Sequence, residues 1–152
     1  MDNFEMLIKT IENKSLETND INILMEFISR LLHDKIPYYD WVGFYILKDN
    51  KLHLGPFVGK PTVHTVIDVG VGICGTSAKT LKPILVSNVI NEDNYLACSP
   101  ETRSEIVVPI LINGKFWGEI DIDSDTTDAF SEKDRQFLEN ISKTIAKFLN
   151  HN

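Results

Sequence analysis

The stretch EIVVPILINGKFWGEIDID, residues 105–123, decides the fold. Two runs rich in β-branched and apolar residues, 105–112 and 115–123, flank Asn113-Gly114, a dipeptide suited to the positive backbone angles of a two-residue hairpin turn. An antiparallel pair is expected here. Side chains alternate across a strand, so Phe116, Gly118, Ile120 and Ile122 fall on one face and Trp117, Glu119, Asp121 and Asp123 on the other. The first face reads as core and the second is strongly acidic. Upstream, 41–47 and 52–58 form a second expected hairpin around the turn-forming Asp49-Asn50, and shorter strands are expected over 64–69 and 84–89. The resulting sheet is mostly antiparallel.

Helical spacing brackets this sheet. Phe4, Leu7, Ile8 and Ile11 predict one helix, and Ile21, Leu24, Met25, Ile28, Leu31 and Leu32 a second, begun by the capping pair Asn19-Asp20. A last helix starts at Ser131, with Asp134 three residues on as a capping-box variant, and runs through Phe137, Leu138, Ile141, Ile145, Phe148 and Leu149. Gly70-Val71-Gly72 leads into a short helix that carries Cys74 in its first turn. Each apolar stripe needs an apolar sheet surface. The expectation is therefore one α+β domain over 1–152: a central, mostly antiparallel sheet with the N- and C-terminal helices on one face and a ligand cavity on the other.

Composition agrees with a single globular unit, at 43% hydrophobic and 24% charged over 152 residues. Fifteen Lys and Arg against 22 Asp and Glu leave a net charge of −7 with the basic residues scattered, so no nucleic-acid partner is expected. No apolar run approaches the roughly 20 residues that span a bilayer, and the N-terminus MDNFEMLIKT does not read as a signal peptide. A cytoplasmic protein is expected, with no membrane partner. Cys74 and Cys98 are then thiols unless their chemistry makes a bond transient.

The residues that could carry chemistry each admit a plain alternative. The acidic row Glu119, Asp121 and Asp123 is either a solvated face or the floor of a cavity. Trp41, Gly43 and Tyr45 share a face of their strand, and a glycine between two aromatics leaves a hollow; the alternative is ordinary core. Aromatic walls over a carboxylate floor suit a small cation with an apolar tail. Cys74 is either a thiol activated by a helix N-terminus or a small buried hydrophobe. Cys98 lies in the polar loop 90–103, where a structural thiol is harder to justify, and Glu105 follows closely. Whether the two cysteines meet is left open by their spacing. The dispersed His33, His53, His64 and His151 and the absence of CxxC or HxxxH argue against a metal site, and no GxxxxGK[ST] phosphate loop occurs.

Five segments, WVGFY (41–45), LGPFVGKP (54–61), GVGICGTSA (70–78), YLACSPETRSEIVVPI (95–110) and GEIDIDSD (118–125), resemble in order the motifs of the free methionine-(R)-sulfoxide reductases, a family of stand-alone GAF domains. The resemblance runs from about residue 41 to the end of the last helix and implies a GAF-like fold. It also implies that free L-methionine-(R)-sulfoxide is reduced to L-methionine, with Cys98 as the attacking thiol and Cys74 as its disulfide partner. Glu105, Asp121, Asp123, Trp41 and Tyr45 are implied as substrate contacts. The three carboxyls are candidates for the proton donor, since like charges sharing a pocket raise at least one pKa. The implied cycle runs through a Cys98 sulfenic acid and a Cys98–Cys74 disulfide, recycled by an external dithiol such as thioredoxin, with no cofactor and no metal, in a homodimer. Many members carry a third cysteine near the position of Val63, so a three-thiol relay is not expected here. A small-ligand sensor and a thiol switch without a substrate are the alternatives.

Overall fold

Each long helix begins on an acid. In this computed structural model, which describes residues 2–93, 95 and 99–152, Asp2 caps α1 (Asn3–Glu17) by accepting from the Glu5 amide at 2.8 Å. Asp20 caps α2 (Ile21–Lys35) by accepting from the Asn22 amide, also at 2.8 Å. These caps satisfy amides that have no partner inside the helix. The chain then forms β1 (Trp41–Lys48), β2 (Lys51–Val58), β3 (Val66–Asp68), α3 (Gly72–Thr80), β4 (Ile84–Val86), a 3₁₀ turn (Val89–Asn91), β5 (Ser104–Ile112), β6 (Lys115–Ser124) and α4 (Glu132–His151). The elements fall where the sequence puts them, with the two short strands trimmed: β4 ends at Val86 because Asn88 caps the following turn through the Ile90 amide.

The strands lie in one sheet, ordered β3-β2-β1-β6-β5-β4, and every pairing among the described residues is antiparallel. Both hairpin turns have paired positive φ values, 53° and 62° at Asp49-Asn50 and 52° and 80° at Asn113-Gly114, the backbone that matches strand twist. On one face Val42 and Phe44 of β1, Ile120 and Ile122 of β6, and Ile106, Val108 and Ile110 of β5 are buried in a single cluster with α1, α2 and α4. The stripe of α4 is spent inside the chain, since Phe137, Leu138, Ile141, Ile145 and Phe148 are all buried there. Met6, Leu16 and Ile23 are the large apolar side chains of α1 and α2 left exposed. Among the described residues no helix is long and apolar enough to cross a membrane.

One expected face assignment is wrong. Ile110 pairs with Gly118, but Leu111 pairs with Phe116, so Trp117 is an extra residue with no cross-strand partner. This bulge reverses the alternation on its outer side. Phe116 packs with the cluster on the second face, and Trp117 joins the helix side. From Gly118 to Asp123 the expected alternation holds.

A buried carboxyl joins the N-terminus of α4 to the strand it precedes in space. Asp134, 2% exposed, accepts from the hydroxyls of Tyr38 at 2.8 Å and Tyr39 at 2.7 Å through one oxygen, and from the Ser131 amide at 2.9 Å through the other. The expected capping box is therefore also a tertiary tie. Burial first, and then Asp134, keep both phenols above the usual tyrosine range. Asp134→Ala leaves the buried Tyr39 hydroxyl without its partner and removes the cap, which together cost about 3 kcal/mol. Urea unfolding should show a lower midpoint with an unchanged m-value; a loss under about 0.5 kcal/mol would refute the role given to Asp134.

Candidate active site

The second face is built in rows across three strands. Asp123 pairs with Trp41 on β1 and Glu105 on β5, Asp121 with Gly43 and Val107, and Glu119 with Tyr45 and Pro109. Their side chains face away from the helix-covered core, and α3 lies over them. Two glycine contacts seat that helix. The Gly70 amide donates to the Gly75 carbonyl at 2.7 Å, and a Cβ on Gly75 would come within 2.5 Å of the Asp68 carbonyl. Close approach to the end of β3 thus demands glycine, and it holds Cys74 over the sheet with 6% exposure.

Cys74, Glu105 and Asp121 meet in a small cavity also lined by Tyr45, His64, Ile67, Gly72 and Ile73. Its free volume, about 10 Å³, suits roughly one water molecule. One ligating atom from each of Cys74, Glu105 and Asp121 lies within 4.8 Å of the other two. Two carboxyls and a thiol buried together make a cluster that can hold either protons or a cation. The solvated-face alternative fails: Glu105, Glu119, Asp121 and Asp123 are each 3% exposed or less. No N–H or hydroxyl donor among the described residues reaches the oxygens of Glu119 or Asp121.

Electrostatics follow from that enclosure. Burial lifts Glu105 well above the usual carboxyl range, and the charges of Asp121 and Asp123 and hydrogen bonds with them lift it further. Glu119 is raised well by burial and then by Asp121, with the Cys74 thiol pulling the other way. Asp121 is raised by burial, offset by hydrogen bonds from Glu105 and Cys74. Glu105 therefore carries a proton to higher pH and Asp121 accepts from it. The arrangement can donate a proton, and it can bind a cation in exchange for one.

The aromatic residues act differently from expectation. No hollow is left at Gly43, because the Trp41 indole folds over it: a Cβ there would lie 2.5 Å from the ring. The indole stacks on Phe57 at 5.4 Å between ring centres and donates from Nε1 to the Lys60 carbonyl at 3.0 Å. The Tyr45 hydroxyl donates to the His64 carbonyl at 2.8 Å. Trp41 and Tyr45 thus staple the segment 59–64 beside the cavity. Val63, where a third cysteine would be sought, is 87% exposed.

Cys98 lies outside the described residues, so neither its place nor its distance from Cys74 is assigned. The chain on either side of it reaches this face: Tyr95 packs against the cluster that contains Cys74, and Ser99 borders a second cleft with Trp41, Lys60 and Asp123. Sequence reasoning missed His64, Ile67 and Ile73 as lining residues, and placed Glu119 on the acidic face without giving it a role. Glu119 had a signal, its shared alternation with Asp121. His64 had none, because it sits in a connection without periodicity.

Residues 22–149 match the GAF domain family. Over 121 residues the chain is 36% identical to the free methionine-R-sulfoxide reductase of Escherichia coli, covering 80% of this chain and 73% of that protein. The structure of fRMsr of Staphylococcus aureus in complex with substrate superposes with a TM-score of 0.90 at 36% identity, covering 98% of this chain and 97% of that one. That of free methionine-R-sulfoxide reductase from Neisseria meningitidis in complex with its substrate superposes at 0.92 with 29% identity, covering 97% and 88%.

The raised Glu105 has a measurable consequence for stability. Its native carboxyl keeps a proton that the unfolded chain releases near pH 4.5, so the wild-type protein loses stability as pH rises above that value. Glu105→Gln removes the penalty. The variant should match the wild type near pH 4 and become progressively more stable above about pH 5, by at most about 1.4 kcal/mol per pH unit. Urea unfolding across pH 4 to 8 checks this, and a stability difference that does not change with pH would refute it.

Proposed function

The chain belongs to the GAF domain family and, within it, to the free methionine-(R)-sulfoxide reductases, and from that premise we propose how its own residues divide the work. It is an oxidoreductase acting on a sulfoxide. The Cys98 thiolate attacks the sulfoxide sulfur while Glu105 protonates the oxygen, so that an S–S bond forms and the S–O bond breaks; the departing hydroxide then adds to the Cys98 sulfur, the S–S bond breaks and its electron pair stays on the substrate sulfur. Methionine leaves and Cys98 is left as a sulfenic acid. Cys74 then condenses with it, releasing water and forming the Cys98–Cys74 disulfide. A dithiol protein such as thioredoxin reopens that bond by exchange.

The observation that carries this reading is the meeting of Cys74, Glu105 and Asp121, all buried, in one small cavity. It supports a redox thiol beside a retained proton. Asp121 and Asp123 attract the substrate ammonium, and a methionine sulfoxide inside a polypeptide presents none, which accounts for selectivity toward the free amino acid. Trp41 and Tyr45 shape the wall through their hold on 59–64. No cofactor takes part in this cycle. The protein works in the cytoplasm, as a homodimer that uses the exposed apolar side chains of α1 and α2.

Reduced protein given one equivalent of free methionine-(R)-sulfoxide should release about one equivalent of methionine and lose two thiols. The (S) epimer and a sulfoxide-containing peptide should react poorly, and a comparable rate on the peptide would defeat the selectivity argument. Cys98→Ser should release no methionine. Cys74→Ser should release one equivalent and then fail to turn over with thioredoxin; normal turnover by both variants would overturn the assignment. Light scattering at micromolar concentration should give twice 17.3 kDa, and a monomer mass would remove the dimer.

A further inference from the structure

Glu119 has no task in the cycle above, yet it is the acid most completely closed off on this face, at 0% exposure. It stands in register between Tyr45 on β1 and Pro109 on β5. Neither of its oxygens receives a hydrogen bond from an N–H or hydroxyl donor among the described residues. The group that reaches it from α3 is the Cys74 thiol, and Asp121 lies beside it on its own strand. Among the described residues no Lys or Arg forms an ion pair with it. An isolated acid in such a place is costly, and an aliphatic side chain would serve packing better. Its neighbour on α3 is a thiol.

We propose that Glu119 is the proton acceptor for Cys74 when that thiol closes the disulfide, and that it returns the proton to the Cys74 sulfur when the disulfide is reopened. This rests on the reading of Cys74 as the resolving thiol. An ordinary thiol, with a pKa near 8.5, is only a few per cent thiolate at neutral pH, so closure is limited by deprotonation. A carboxyl whose affinity for protons is raised by burial is a better-matched base for that thiol than one in water. In the closing step the Cys74 S–H bond breaks and its proton passes to the Glu119 carboxylate. The Cys74 sulfur attacks the Cys98 sulfenic sulfur, the S–S bond forms and the S–O bond breaks. Glu105, reprotonated from solvent after the first step, gives the departing hydroxide a proton and it leaves as water. Cys74 is oxidised and the sulfenic sulfur is reduced. The groups that face Glu119 are Asp121 on β6 and the Cys74 thiol on α3, with Tyr45 in register on β1 and Pro109 on β5.

The test uses the full chain, reduced, with one equivalent of free methionine-(R)-sulfoxide. Methionine release and disulfide closure are followed separately by acid quench and mass spectrometry from pH 6 to 9. In Glu119→Gln, closure should fall at least about tenfold behind the wild type at pH 7, so that a sulfenic acid accumulates and is trapped by a 1,3-dicarbonyl reagent. The deficit should shrink toward pH 9, where the thiolate forms without help. Glu119→Asp should recover part of the rate. Closure in Glu119→Gln with the wild-type rate and pH profile overturns the proposal, as does a slowing that is equal at every pH, which marks a packing role. A wild-type protein that releases no methionine fails at the earlier step and overturns the reductase cycle itself.

Discussion

Four carboxyl groups on two neighbouring strands are shut away from water, and a carboxyl so placed keeps its proton or takes a cation in exchange. Much else on this face follows from how they are held there. Antiparallel register between β1, β6 and β5 sets Glu105, Glu119, Asp121 and Asp123 on the side away from the main core, and α3 closes over them with Cys74 in its first turn. The helices on the opposite face supply the burial that makes such an unfavourable row affordable. Isoleucines alternate with the acids along β6, so the strand that binds the core is also the strand that presents the chemistry.

The elements were legible where the signal is local. Asn113-Gly114 and Asp49-Asn50 specify their turns through backbone angles, and Asp20 and the Ser131–Asp134 pair specify helix starts through hydrogen bonds over two or three residues. The shared face of Trp41 and Tyr45 and of Asp121 and Asp123 was legible for the same reason, since alternation is a property of one strand. What was not legible depends on the third dimension. Trp117 slips out of register through its pairing with β5, and the indole of Trp41 fills the space over Gly43 because Phe57 on the next strand backs it. That the acidic row is covered rather than wet depends on α3, whose seat is fixed by a glycine contact with β3.

The wall of the cavity formed by 59–64 is held by main-chain acceptors, the carbonyls of Lys60 and His64, so these two bonds do not depend on which side chains those positions carry. Lys60 uses its ammonium for a second contact, 3.0 Å from Glu101, whose carboxyl is drawn down to about 2 by the Ser99 hydroxyl and Lys60. Both partners are well exposed, and such a pair contributes little to stability. Its position is more telling: it joins the connection after β2 to the connection before β5.

The proton held by Glu105 gives ligand binding an acid–base signature of its own. A positively charged ligand that settles against Glu105 restores the ordinary acidity of that group, and the proton it gives up passes to the surrounding buffer. Complex formation is then a proton-releasing reaction. Its heat, followed by calorimetry, differs between phosphate and an amine buffer by the ionisation enthalpy of the buffer itself, and its affinity rises with pH for as long as the ligand keeps its charge. An interior that resembles a dry ion exchanger trades hydrogen ions for organic cations.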